Sequence, residues 1–137
     1  SGTLQLLWQG IAAYVFAHDV QIMFGCASLP GTDLDALADQ LTFLAAKHTA
    51  PEAICPRALP GRYVDMLRKD PALVDAKATL NTLPPLVKGY LRLGGFVGEG
   101  AVTDTQFNCT DVAIVVKTDQ VTRKYSKHWE RKAGWRA

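Results

Sequence analysis

The sequence has no uninterrupted apolar run of the ~18–20 residues that a membrane-spanning helix needs. Its uncharged opening, Ser1 to Ala17, is interrupted by Gln5, Gln9 and Gly10 and lacks the basic leader of a signal peptide, so neither reading is expected. Cysteines number only three (Cys26, Cys55 and Cys109), an odd count without CxxC spacing. That excludes a disulfide framework or structural zinc finger and makes a reducing cytoplasm the default. The three histidines fall into no HxxxH or HxxE pattern, so no metal site is expected. Charge of one sign is also scarce. Fifteen Lys and Arg against thirteen Asp and Glu give a net of +2, which is no footprint for nucleic-acid binding.

What is present is apolar. Residues of the hydrophobic class make up 48% of the 137, enough for one core and about one domain. With 20% charged residues and a mean hydropathy of +0.02, the chain is neither disordered nor built for a bilayer interior. Its charges are unevenly spread. Residues 1–116 carry eight basic and eleven acidic side chains, and residues 117–137 carry seven and two.

Leu4, Leu7, Trp8, Ile11, Tyr14 and Val15 repeat at three and four, which predicts a helix from Leu4 to Ala17. Leu6, Ala12, Ala13 and Phe16 carry the apolar surface around the cylinder, the signature of a buried helix. Val20 to Ser28 reads as an interior strand, with Cys26 as a small core residue. After the Pro30-Gly31 turn, Thr32 or Asp33 can cap a second helix through about Lys47. Pro51, Pro56 and Pro60-Gly61 mark a loop-rich stretch with a possible strand at Arg62 to Leu67. Ala72 to Leu83 and Leu86 to Leu93 are helix-like, the second opened by Pro84-Pro85. Asp111 to Thr118 is the second clear strand. The succession predicts an α/β or α+β domain over residues 1–122, followed by a basic, aromatic tail at 123–137.

Four features invite a functional reading. Gly94, Gly95, Gly98 and Gly100 lie between a helix and a strand without the Lys and Ser/Thr of a phosphate loop, so a helix stop and tight turn fit better. Cys26 and Cys109, with His18, His48 and His128, supply the residue types of a thiol–imidazole pair, but spacing brings none together. Asp104, Asn108 and Asp111, among Thr103, Thr105 and Thr110, read either as a self-satisfied turn or as a polar site binding an amine. The tail interleaves Arg123, Lys124, Lys127, Arg131, Lys132 and Arg136 with Tyr125, Trp129 and Trp135. It suits an anionic membrane surface, an acidic protein or plain solvation.

Long strings then carry a resemblance. They are Leu7 to Val15 (LWQGIAAYV), Met23 to Asp33 (MFGCASLPGTD), Arg57 to Gly61 (RALPG), Leu83 to Gly95 (LPPLVKGYLRLGG), Phe107-Asn108 and Thr110-Asp111-Val112. Over nearly the whole chain they resemble the bacterial ornithine N-acyltransferases, also labelled hemolysin-like. These belong to the GCN5-related N-acetyltransferase-like superfamily. Members are about twice this length, so the chain looks like their C-terminal half, with part of a mixed sheet and flanking helices. The resemblance makes Ser1-Gly2-Thr3 the end of the loop whose amides hold the donor's phosphopantetheine. Leu4 to Ala17 is then the helix after that loop, and Val20 to Ser28 the fifth strand. Earlier strands, and the acidic and arginine residues the family carries on them, fall outside the sequence, and no general base is carried over.

The resemblance implies direct attack of ornithine's α-amine on a 3-hydroxyacyl thioester of acyl carrier protein, yielding lyso-ornithine lipid, with no bound cofactor. The donor site is expected at Gly2, Thr3 and Leu4, where a helix N-terminus presents amides to a phosphate. Charge matching gives Lys88 or Arg92 to ornithine's carboxylate and Asp104 or Asp111 to its side-chain ammonium, with Asn108 beside them. Surplus apolar helix surface fits an acyl channel. Acyl carrier protein is acidic and the product a membrane lipid, so the tail fits either partner, at the inner membrane face of the cytoplasm. The rival is a truncated module that binds acyl chains or membrane without turnover. A membrane-damaging protein is disfavoured by the lack of a pore-forming segment. A half-domain is further expected to expose apolar surface and to dimerise, exchange strands or dissolve poorly.

Overall fold

The computed structural model describes residues 2–119. Ser1 and the 123–137 tail, with its expected membrane or carrier-protein role, lie outside the described residues, as does the boundary placed at 122.

Helix α1 (Gly2–His18) leads through Asp19, at a left-handed φ of 51°, into strand β1 (Ile22–Pro30). Helix α2 (Ala38–His48) follows, then a long irregular stretch, α3 (Ala76–Thr82), α4 (Pro85–Arg92), and three strands, β2 (Phe96–Val97), β3 (Val102–Asp104) and β4 (Cys109–Lys117). The architecture is α+β, as expected of part of a GCN5-related N-acetyltransferase-like fold. β4 is the hub of the sheet. It pairs antiparallel with β1 along its whole length, and with β2 and β3 on its other edge.

Alternation along β4 separates two faces. Thr110, Val112, Ile114 and Val116 are buried toward the helices. They pack with Ala27 and Leu29 of β1, Leu41 and Leu44 of α2, and Val87 of α4 with Leu93 just beyond it. Each such leucine contributes about 2–3 kcal/mol by leaving water. Cys109, Asp111 and Ala113 point the other way and stay half-buried.

Several local expectations are revised. α2 begins at Ala38, because the Asp33 carboxylate accepts from the amides of Asp35 and Ala36 and so caps the preceding turn. Ala72 to Leu83 is broken. Asp70 caps a 3-10 turn at Pro71–Leu73, and Asp75 accepts from the Ala78 amide to start α3. Arg62 to Leu67 is no strand, since only Val64 bridges, to Ala101. The helix stop at the glycines is realised: Gly94 takes φ 79° and the Gly95 amide donates to Tyr90 O at 2.9 Å.

The largest revision concerns α1 and β1. Only Val15 of α1 is buried, while Leu6, Tyr14 and Phe16 are 68%, 63% and 80% exposed. β1 is an edge strand among the described residues, with Phe24 85% exposed and Cys26 on the surface rather than in the core. Apolar composition signals burial only when a partner element is at hand, and none of the described residues covers these surfaces.

Candidate functional site

The polar face of the sheet gathers the acidic candidates. Register sets Asp104 opposite Cys109 and Ser28 opposite Asp111, and Cys109 and Asp111 are two apart on one face of β4. One ligand-type atom each from Asp104, Cys109 and Asp111 lies within 4.8 Å of the others. The Ser28 hydroxyl donates to Asp111 Oδ1 at 2.6 Å, and the Cys109 thiol reaches the same oxygen at 3.4 Å. Asp104 Oδ1 accepts from the Phe107 amide at 3.0 Å. The hydrogen bonds from Ser28, Cys109 and the Phe107 amide thus fall on the Oδ1 atoms of two carboxylates that lie close together on this face. Partial burial pushes the Cys109 thiol above its ordinary pKa. The Asp111 and Asp104 carboxylates push the same way, against the Ser28 hydrogen bond.

The surrounding backbone is fixed. Asn108 occupies the left-handed region at φ 50°, which asparagine tolerates better than most residues. Its carbonyl accepts from the Gly31 amide at 2.9 Å, and the buried Thr110 hydroxyl donates to Gly31 O at 2.9 Å. These bonds tie the exit of β1 to the entry of β4. Asn108's side chain is exposed beside the cluster.

The basic candidates lie elsewhere. Lys88 and Arg92, on α4, share a cavity of about 390 Å³ with Leu4, Gln5 and Trp8 of α1. The Trp8 and Tyr90 rings, edge to face at 5.1 Å, hold the two helices together. Lys88 also donates to Asn81 O at 3.3 Å. α4 packs on the helix-covered face of the sheet, whereas Asp104 and Asp111 project from the opposite face. Thus Leu4, Lys88 and Arg92 form one group, and Asp104, Asn108 and Asp111 another. Gly2 and Thr3 are exposed on the first turn of α1.

Sequence reasoning missed Ser28 and Cys109 as members of the acidic cluster. The two-residue alternation of Phe24, Cys26 and Ser28 was the available signal, but it needs the β1–β4 register to become a contact. No thiol–imidazole pair forms among the described residues: His18 stacks near Tyr14 and His48 near Phe43. His128 lies outside them. A second, larger cavity of about 710 Å³ opens between α1 and β1, lined by Leu7, Trp8, Ile11, Met23, Phe24 and Val116 among others. No described helix is long and apolar enough to cross a membrane.

No family model matches the chain, and no solved structure does. Curated relatives do. An L-ornithine N(alpha)-acyltransferase of Rhodobacter capsulatus is 43% identical over 127 residues, 93% of this chain and 48% of the relative. Those of Brucella abortus and Rhizobium meliloti, with the same name, are 41% and 39% identical over 96% of the chain and 47% and 45% of their own lengths. The chain therefore spans about half the length of the curated relatives it matches. By sequence the chain is similar to the C-terminal half of these L-ornithine N(alpha)-acyltransferases.

Proposed function

We propose that the chain provides the acceptor side of an N-acyltransferase that moves a 3-hydroxy fatty acyl group from acyl carrier protein to the α-amine of ornithine. The carrying observation is the pair of carboxylates, Asp104 and Asp111, held close together on one face of the sheet. A compact ammonium finds two anionic acceptors there, and charge-assisted bonds of this kind are the strong ones. Holding ornithine's side-chain ammonium leaves the α-amine free to lose a proton and attack.

The chemistry is a direct transfer. The amine nitrogen forms a bond to the thioester carbonyl carbon, and the C–S bond breaks as the phosphopantetheine thiol leaves. The amine proton passes to a base or ordered water. The developing oxyanion needs an amide donor. Lys88 and Arg92 share a cavity with Leu4 at the first turn of α1, so they fit the acidic donor's phosphate better than a carboxylate on the far side of the sheet. The product of this reading is lyso-ornithine lipid, made by a peripheral enzyme with acyl carrier protein as its protein partner.

The test is a turnover assay read by mass spectrometry, with 3-hydroxyacyl carrier protein and ornithine as substrates. N-acyl-ornithine above the enzyme-free control is the expected result. Asp111→Asn should raise the KM for ornithine by about 10- to 100-fold, the worth of one charge-assisted hydrogen bond. An unchanged KM removes Asp111 from the acceptor site. Binding of acylated carrier or lipid without product, in the chain alone and when it is joined to the other half of a relative, supports the non-catalytic module instead.

A further inference from the structure

We infer that the stretch from Arg57 to Lys69 is a docking surface for an anionic lipid bilayer, with leucine tips that enter the interface and cations that meet the headgroups. This goes beyond the proposed reaction and does not depend on it. Charge is the first observation. Residues 57–69 carry four basic side chains and one acidic, whereas the rest of residues 1–116 carries four and ten. An otherwise acidic body therefore bears a cationic island. A negatively charged leaflet attracts such an island, at about fivefold in affinity for each Lys or Arg near the surface.

Apolar side chains stand among these charges. Leu59 is 71% exposed, Leu67 54% and Tyr63 41%, and the four cations are exposed with them. The stretch is anchored from beneath by its own contacts. Val64 and Ala101 exchange backbone hydrogen bonds at 2.8 and 2.9 Å, and the Ala58 amide donates to Glu99 O at 3.0 Å. The Arg68 amide donates to the Thr42 hydroxyl at 3.0 Å, and the Met66 side chain is buried in the core. Local turns then send the leucines outward. Leu59 O accepts from the Arg62 amide at 2.8 Å, and the Asp65 carboxylate accepts from the Leu67 amide at 3.0 Å. Each turn sets a leucine within three residues of an arginine, Leu59 with Arg62 and Leu67 with Arg68.

Tight turns with apolar tips favour a lipid surface over a protein. A protein partner must offer each protruding leucine a matching recess, whereas acyl chains flow around a tip of any shape. Leucine below the headgroups, tyrosine at their level and arginine beside the phosphates is the arrangement of an interfacial segment. Neither cavity beside α1 includes a residue of this stretch, so it is not the rim of either. Within the island the cations divide. Arg57 and Lys69 are tethered to Glu99 and Asp39 by ion pairs of 2.8 and 2.7 Å. Arg62 and Arg68 accompany the leucines in the turns and are the cations matched to the lipid.

The experiment is co-sedimentation of the full chain with vesicles of phosphatidylcholine, alone or with about 30% phosphatidylglycerol. The wild type should bind the anionic vesicles and be released by salt. Leu59→Ser with Leu67→Ser should lower the partition coefficient at least ~10-fold, since each leucine loses its transfer out of water. Arg62→Gln with Arg68→Gln should lower it about 25-fold. Any binding by the basic tail adds independently, so both losses are read in the full chain. Thermal melts check folding, and the arginine pair decides the matter should the serine pair fail to fold. An unchanged partition coefficient in a folded variant overturns the inference, as does a wild type that ignores anionic vesicles. Loss of binding to an acidic carrier protein, with vesicle binding intact, overturns it in favour of a protein partner. The same pairs, in the chain joined to the unmatched half of the Rhodobacter capsulatus relative, should weaken vesicle binding alike, and no effect there overturns it too. Turnover is not read, so the outcome stands apart from that of the acceptor site.

Discussion

Gly98→Ala is a sharp test of how the irregular stretch before α3 is fastened to the sheet. A Cβ at Gly98 would lie 2.6 Å from Pro56 O, 2.9 Å from Pro56 Cγ and 3.1 Å from Ala113 Cβ. The Gly98 amide donates to Ala113 O at 2.9 Å, and the neighbouring Glu99 amide donates to Pro56 O at 2.8 Å. The methyl therefore cannot move toward β4 and must push Pro56 away, breaking the bond to Glu99. Overpacking costs about 1–3 kcal/mol and the lost bond about 1 kcal/mol. The stiffer unfolded chain returns about 0.5 kcal/mol. A net loss of about 1.5–3.5 kcal/mol corresponds to a Tm lower by about 5–11 °C, at about 3 °C per kcal/mol for a chain of this size. Gly10→Ala is the control. Its Cβ meets nothing within 4 Å inside α1, so it should stabilise by about 0.5–1 kcal/mol through helix propensity. Thermal melts by circular dichroism read both. A Gly98→Ala protein melting with the wild type, or below it by less than the Gly10→Ala protein rises above it, would refute the close-packed account of this junction.

Two further outcomes follow from titratable groups. Burial lowers the pKa of His48 below its ordinary value, so its neutral form is favoured in the fold. Its stabilising contribution is complete above the unfolded value near 6.5 and is lost as pH falls toward the depressed folded value. Thermal melts across this window should show less acid destabilisation in His48→Gln, and an identical pH slope would refute it. The Cys109 thiol, held above its ordinary pKa by burial and two carboxylates, should form thiolate only at more alkaline pH. Its alkylation profile should lie to the alkaline side of that for Cys109 in urea-unfolded chain, and coincident profiles would exclude the cluster's effect.

Much of the fold was legible because long apolar periodicities leave a mark. α1, β1, α4 and β4 lie within a few residues of where spacing set them. β2 and β3, two and three residues long, are too short for alternation to show, and they exist because β4 offers an edge. Arg62 to Leu67 looked strand-like from composition, yet it meets the sheet only at Val64. Burial was misjudged where it depends on elements elsewhere, as at Leu6, Phe24 and Cys26. For the site, Asp104, Asn108 and Asp111 were visible as a local cluster. Ser28 was not, because 83 residues separate it from Asp111 and only strand register joins them. Lys88 and Arg92 were matched to ornithine by charge, and charge carries no information about which face of a sheet a residue occupies.

The alternation along β4 has a consequence for how this protein tolerates change. The same two-residue rhythm that sends Thr110 and Val112 inward sends Cys109 and Asp111 outward. Insertion of one residue in the turn between Thr105 and Asn108 leaves that rhythm untouched. Insertion between Cys109 and Val112 reverses it on one side of the insertion, driving a carboxylate inward and a valine into the acidic cluster. Foldability and chemistry are thus encoded in one phase, and a length change within β4 forfeits both together. Variation in chain length is accordingly expected in the turn that precedes the strand, while the strand keeps a fixed count between Asp104's partner and Ser28's.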